Sequence, residues 1–216
     1  MLRFTLFGIP VRIDPWFWLI GLLFGGSRLD LGKSAGVILL FSWMVVWLLS
    51  FLIHEFGHAL VQRKYGGRPE ILLYGGGGLA FGNRHFTRWQ SLIISAAGPV
   101  VEIAAGLLIW WVLHAIHPTS YFLRHAMADF SWICVFWGLF NLIPVLPLDG
   151  GHIVNALTDG RTRLVAGIGM VAGALTALGM LAYGLLFVTI YMGYFAWRNF
   201  ETWRRGYRSQ TPMGDV

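Results

Sequence analysis

The sequence predicts an all-α polytopic membrane protein with about six transmembrane helices. Its 216 residues are 56% hydrophobic and 12% charged, with a mean hydropathy of +0.64. Soluble domains carry about 25% charged residues, so a soluble globular protein is excluded, and the apolar, aromatic-rich composition also excludes a disordered chain. The second observation is a series of long apolar stretches, and the third is the placement of Lys and Arg between them.

Six apolar stretches can be drawn as spans: residues 15–26, 35–61, 91–114, 128–148, 164–181 and 182–197. The first is short and follows basic residues, but no signal-peptide cleavage site comes after it, so we expect a retained span. A span needs about 20 residues, and residues 164–197 are too many for one. We therefore expect a turn near residues 179–184, where glycine recurs.

The basic residues predict the orientation. With six spans and both termini in the cytoplasm, all of the 16 Lys and Arg except Arg28, Lys33 and Arg124 lie on the cytoplasmic side. Merging the last two spans would move the arginines that follow residue 197 outside, against the positive-inside rule. The net charge of +6 is thus accounted for without a nucleic-acid partner. The short loops favour the plasma (inner) membrane of a prokaryote.

His54, Glu55 and His58 form an H-E-x-x-H pattern near the end of the second stretch. On a helix, residues i and i+4 share a face, so both imidazoles can bind one metal ion, and imidazole suits zinc. Glu55 is rotated by about 100° from His54, where it can act as general base toward water that zinc activates. Unpaired polar groups in a membrane are costly, so this interpretation is favoured over chance packing residues.

Asp149 is the candidate third metal ligand. Catalytic zinc takes three protein ligands and leaves one position open. Pro144 and Pro147 interrupt the fourth stretch, and such broken backbone is tolerated at membrane depth where it lines a buried cavity. Asp149 can also be the N-cap of a short helix over residues 150–157. The charge-based orientation places the ends of the second and fourth spans on the same, cytoplasmic side.

These residues resemble the site-2 protease family of intramembrane zinc metalloproteases. The resemblance rests on the H-E-x-x-H pattern at 54–58, on N-x-x-P-x-x-P-L-D-G at 141–150, and on the small-residue segment 95–99. It covers a core of residues 35–157 within one membrane domain, 1–216. Many members of the family carry a PDZ or CBS domain, and we expect this chain to be a minimal membrane core without either.

The resemblance implies roles for five residues. His54, His58 and Asp149 would bind one zinc ion per chain, Glu55 would be the catalytic acid and base, and Asn141 would lie near the substrate or the developing oxyanion. The implied substrates are membrane-spanning proteins, cut in or near the cytoplasmic leaflet of the bilayer.

The loop between the second and third spans predicts a small β-hairpin. Residues 70–74 and 79–81 have strand composition and flank four glycines. Similar loops in the family form a small sheet, whose edge can bind an extended substrate by strand addition. The alternatives are a flexible linker, or a close backbone approach that the glycines permit without a sheet.

Several side chains and functions have more than one interpretation. Glu102 in the third span either pairs with an Arg or His of the core or faces a polar cavity, where it would have a substrate or gating role. His152 is either a partner of a metal ligand or an interfacial residue. Cys134 is expected in the core. The alternative functions are a zinc-binding pseudoprotease that chaperones membrane segments and, more remotely, a haem-binding protein or transporter. The presence of all four site residues disfavours the pseudoprotease. Haem would usually need histidines on facing helices, whereas His54 and His58 share one helix face with a glutamate between them.

Overall fold

The computed structural model describes residues 1–26, 34–82 and 84–205. Arg28, Lys33 and Arg208, which enter the charge argument, lie outside these residues. The elements in order are β1 (Leu2–Leu6), β2 (Ile9–Ile13), α1 (Pro15–Gly25), α2 (Ser34–Lys64), β3 (Glu70–Tyr74), β4 (Gly77–Phe81), α3 (Arg88–Ile116), α4 (Tyr121–Asn141), α5 (Asp149–Leu157), α6 (Thr162–Ala182) and α7 (Leu186–Arg205).

The chain divides into two compact units. The first contains Met1–His85 and Ala97–Phe140, and the second contains Phe86–Ala96 and the chain from Asn141 onward. The first unit therefore holds the sheet, α1, α2 and most of α3 and α4. The second holds α5, α6 and α7. A single domain over residues 1–216 stays a prediction.

A four-stranded sheet in the order β1-β2-β3-β4 belongs to the first unit. The predicted hairpin is present: β3 and β4 pair antiparallel, with Glu70 opposite Phe81, so the flexible-linker alternative is wrong. The N-terminal hairpin β1-β2 was not predicted. Its signal was the alternation of Ile9, Val11 and Ile13, each 1% exposed, with residues that are not buried. β2 pairs parallel with β3 and joins the two hairpins.

Three of the described helices are long and apolar enough to cross a membrane: α2, α3 and α6. The count of six is not confirmed. Helix α1 has 11 residues, and each residue adds about 1.5 Å to its length. It is therefore too short to cross a hydrocarbon core about 30 Å thick. Helix α4 carries Arg124 and Asp129, and the last two turns of α7 carry several charges. The turn expected near residues 179–184 is present, with Gly184 at φ +71° between α6 and α7.

Aromatic packing in the first unit fixes α2, the helix that carries the H-E-x-x-H pattern. Phe51 lies 4.6 Å from Trp47 and 5.0 Å from Trp137, measured between ring centroids. Phe17 of α1 packs edge-on against Phe51 at 5.4 Å. Rigid aromatic contacts of this kind add to the burial energy. They surround α2 immediately before its histidines.

Hydrogen bonds in the second unit hold the segment that precedes α5. Asn199 of α7 is 2% exposed, and its Nδ2 donates to the backbone oxygens of Leu146 at 2.7 Å and Phe195 at 2.8 Å. Leu146 lies between Pro144 and Pro147, where the backbone has no helical partners of its own. The amide of Asn199 therefore anchors an irregular segment to a regular helix.

Candidate metal centre

Helix α2 places two imidazoles and a carboxylate in the interior of the protein. His54, Glu55 and His58 are 4%, 3% and 7% exposed. The Nε2 atoms of the two histidines lie 3.1 Å apart, as their i, i+4 spacing predicts. Two ligands at about 2 Å from a tetrahedral zinc stand about 3.3 Å apart. The two nitrogens are thus placed to share one metal ion.

Gly98 of α3 packs against the imidazole of His58. A Cβ atom built on Gly98 would overlap the ring, closer than real Cβ atoms approach. Within the small-residue segment at 95–99, glycine at residue 98 leaves room for the His58 ring, since any side chain there would displace it. The sequence singled out this segment only through its resemblance to the family.

Glu102 pairs with His54, which agrees with the first of its two interpretations. It is 0% exposed, and its Oε2 lies 2.7 Å from His54 Nδ1. Its Oε1 accepts a 2.8 Å hydrogen bond from Ser50 Oγ. Cys134, buried as expected, lies with its Sγ 3.5 Å from the same hydroxyl. The acid of α3 is thus part of the histidine's immediate surroundings.

Strand β4 passes directly beside Glu55. A Cβ atom on Gly78 would overlap the Glu55 carboxylate, so glycine at this position allows the strand and the carboxylate to be neighbours. The predicted hairpin is therefore present, and the alternative of a close approach without a sheet is wrong, although the approach itself occurs at Gly78. Burial raises the pKa of the neighbouring Tyr74, and the charge of Glu55 raises it further.

Asp149 is the first residue of α5, and the N-cap position belongs to Leu148. The interpretation of Asp149 as the N-cap is therefore wrong by one residue. Gly150 follows in close contact with the preceding segment: a Cβ atom there would overlap the backbone oxygens of Leu142 and Ile143. The start of α5 is set by backbone packing.

His54, His58 and Asp149 form a group that can hold a metal ion. Each offers one ligand atom, and these atoms all lie within 4.8 Å of one another. Two imidazoles and one carboxylate are a donor set that zinc accepts and that leaves a position open in a four-coordinate site. The residues therefore fit the metal that the sequence predicted.

The remaining candidates lie in the second unit. Asn141 is the last residue of α4 and is half-buried. His152 is exposed on α5 and lines a cavity of about 230 Å³ together with Ser91, Ser95 and Asn155. Asn141 as a substrate-contacting residue stays a prediction.

Known proteins resemble this chain in sequence. A family model described as peptidase family M50 matches residues 119–182. A zinc metalloprotease of Methanocaldococcus jannaschii is 32% identical over 199 residues, 87% of this chain and 54% of the relative. A Synechocystis protein is 32% identical over 217 residues, 90% of this chain and 57% of the relative. The chain thus spans about half the length of the curated relatives it matches.

A solved structure is also similar over nearly the whole chain. The site-2 protease from Methanocaldococcus jannaschii matches with a TM-score of 0.65 and 28% identity. The match covers 92% of this chain and 94% of that one.

Proposed function

Because the chain belongs to the site-2 protease family, we propose that it hydrolyses peptide bonds of membrane-spanning proteins at a zinc site. The observation that carries the proposal is the group of His54, His58 and Asp149 beside Glu55. Buried ionisable groups on a helix long enough to span a membrane are costly and need a functional reason. A hydrolytic metal centre supplies that reason.

We assign the metal ligands as His54 Nε2, His58 Nε2 and a carboxylate oxygen of Asp149, with one zinc ion per chain. The 3.1 Å separation of the two nitrogens and the donor set support this assignment. When bound, zinc supplies a Lewis acid that polarises a carbonyl group and makes water nucleophilic at neutral pH. The protein would contribute two imidazole rings and one carboxylate as ligands.

Glu55 is the proposed general base and acid. Its carboxylate is 3% exposed and follows His54 directly on α2, so it faces a different side of the helix from the two rings. It would take a proton from the attacking water and return it to the amine that leaves the scissile bond. One carboxyl group thus serves both proton transfers.

The edge of β4 is the proposed binding surface for the substrate. In the described sheet β4 pairs with β3 alone, so its other edge can accept a further strand. A helical substrate has its peptide groups hydrogen-bonded within the helix, whereas an added strand presents them to the protein. Gly78 brings β4 against Glu55, so a strand added there would run past the general base. Asn141 is the proposed contact to the substrate or oxyanion.

We further propose that both termini are cytoplasmic and that cleavage occurs in or near the cytoplasmic leaflet of a prokaryotic plasma membrane. The excess of Lys and Arg in the segments assigned to that side supports this orientation. His58 and the basic end of α2, Arg63 and Lys64, are close in sequence. The ligands would therefore lie near the cytoplasmic surface.

The test is cleavage of a panel of single-span membrane proteins by the purified full chain in detergent, with the products identified by mass spectrometry. We expect Glu55→Gln to lower the rate about 10²- to 10⁴-fold while one zinc per chain is retained. Asp149→Ala is expected to lose both zinc and cleavage. Cleavage that is unchanged in Glu55→Gln would contradict the proposal. Zinc binding without cleavage of any substrate would favour the pseudoprotease.

A further inference from the structure

Glu102 is a fully buried acid that the hydrolytic steps above do not use. It lies within α3, one of the helices that can span a membrane. Both of its carboxylate oxygens face α2: Oε2 is 2.7 Å from His54 Nδ1, and Oε1 accepts the hydrogen bond from Ser50 Oγ. Ser50 and His54 are four residues apart and share one helix face. Two contacts to one face fix the position of the carboxylate.

The two nitrogens of His54 have different neighbours. Nδ1 faces the Glu102 carboxylate, while Nε2 lies 3.1 Å from His58 Nε2. A neutral imidazole has one N–H donor and one acceptor nitrogen. If Nδ1 donates to the carboxylate, the lone pair is on Nε2, the nitrogen beside His58. The contact to Glu102 therefore selects both the tautomer and the ring orientation.

We propose that Glu102 is a positioning residue of the metal centre, whose carboxylate directs the Nε2 lone pair of His54 toward a divalent metal ion shared with His58. This inference rests on the proposed zinc site and adds the residue that sets its affinity. A carboxylate behind a ligating histidine fixes the ring and makes it a stronger donor, and its loss commonly weakens metal binding about 10- to 100-fold. Ser50 in turn orients the carboxylate.

A different role for Glu102 would be structural only. Its contacts also join α2 to α3, and a buried polar link between two helices can stabilise a fold without affecting a ligand. The two roles predict different results. If the link is only structural, its loss changes the stability of the metal-free protein and leaves the dissociation constant for zinc unchanged. If Glu102 positions the ligand, its loss also changes that dissociation constant.

The experiment measures zinc affinity of the full chain in detergent by competition with a chelator, and thermal stability of the metal-free protein. The variants are Glu102→Gln, which keeps the shape but removes the charge, and Glu102→Ala. We expect zinc binding to weaken about 10- to 100-fold in Glu102→Gln and at least as much in Glu102→Ala. Glu102→Gln is nearly isosteric, so it decides the question if Glu102→Ala does not fold.

Gln62→Met is the matched control. Gln62 is 5% exposed on the same face of α2, four residues past His58, and its Nε2 donates to the backbone oxygen of Ala80 at 2.9 Å. It is thus a buried polar link that does not involve Glu102. We expect Gln62→Met to lower thermal stability and leave zinc affinity unchanged.

The outcomes separate this inference from the proposed function. Unchanged zinc affinity in Glu102→Gln, with lower stability of the metal-free protein, would overturn the inference and leave the zinc site standing. If Glu102→Gln binds zinc more weakly and the wild-type protein cleaves no substrate, the inference is supported and the proposed function is contradicted. Zinc binding that is unchanged by His54→Ala would overturn both the inference and the assignment of His54 as a ligand.

Discussion

The proposed metal ligands come from two regions that are built in different ways. His54 and His58 lie on α2, a regular helix of 31 residues surrounded by aromatic side chains. Asp149 begins α5, a helix of nine residues that follows a segment interrupted by two prolines. In the first region helical periodicity sets the spacing of the ligands. In the second region, backbone packing at Gly150 and the side-chain amide of Asn199 set the position of Asp149.

The difference shows two ways to hold a ligand in place. On α2 the backbone hydrogen bonds are satisfied within the helix. The neighbours of the two rings, the Glu102 carboxylate and the backbone at Gly98, therefore only have to orient the rings. Before α5 the backbone itself has to be held, because prolines remove donors and leave carbonyl groups exposed. Changes to the second region should therefore affect the fold and the ligand together, while changes to the first should affect the ligand more than the fold.

The largest effect is expected from Gly150→Ala. The added methyl group would overlap two backbone oxygens, Leu142 O and Ile143 O, and backbone cannot move aside as a side chain can. Overpacking of this kind costs about 1–3 kcal/mol or more. We expect thermal stability to fall and zinc content to be lost, measured by thermal denaturation and elemental analysis. Normal zinc content and stability would show that the start of α5 is not held by this packing.

Gly98→Ala is expected to act on the ligand more than on the fold. The methyl group would meet the ring of His58, which can turn aside at a cost in side-chain geometry of about 1 kcal/mol. We expect zinc affinity to fall about fivefold with a small change in thermal stability, both measured on the purified chain. A loss of stability as large as in Gly150→Ala would contradict the distinction between the two regions.

Gly78→Ala tests the general base without touching a metal ligand. Its methyl group would overlap the Glu55 carboxylate, which is the end of a flexible side chain and can shift. We expect the cleavage rate to fall about tenfold, well below the effect of losing the base. Zinc content should remain at one per chain. An equal fall in zinc content would indicate that β4 supports the ligands as well.

The smallest effect is expected from Gly179→Ala, which serves as the control for the other glycine substitutions. Gly179 lies within α6, and a Cβ atom there would meet nothing within 4 Å. Alanine in a helix interior is favoured over glycine by about 0.5–1 kcal/mol. We expect unchanged zinc binding and cleavage and a slightly higher denaturation temperature. A decrease in any of the three would show that glycine substitutions in this chain are harmful without a steric cause.

The sequence predicted the features that follow from local periodicity and composition. The membrane class follows from hydropathy, the shared face of His54 and His58 from the 3.6-residue repeat, and the turn at Gly184 from the length of a span. The β3-β4 hairpin followed from two short strand patterns around glycines. The prediction of six spans went further than the helices support, because short apolar stretches such as α1 resemble spans in composition but not in length.

Only the tertiary structure decided which distant residues meet. The pairing of β2 with β3, the contact of Glu102 with His54 and the packing of Gly78 against Glu55 each join residues that are separated by more than 20 positions. Such contacts depend on how helices and strands pack after they have formed, and no repeat in the local sequence records them. The candidate ligands could therefore be predicted from the sequence, whereas the surroundings of these side chains were decided by packing.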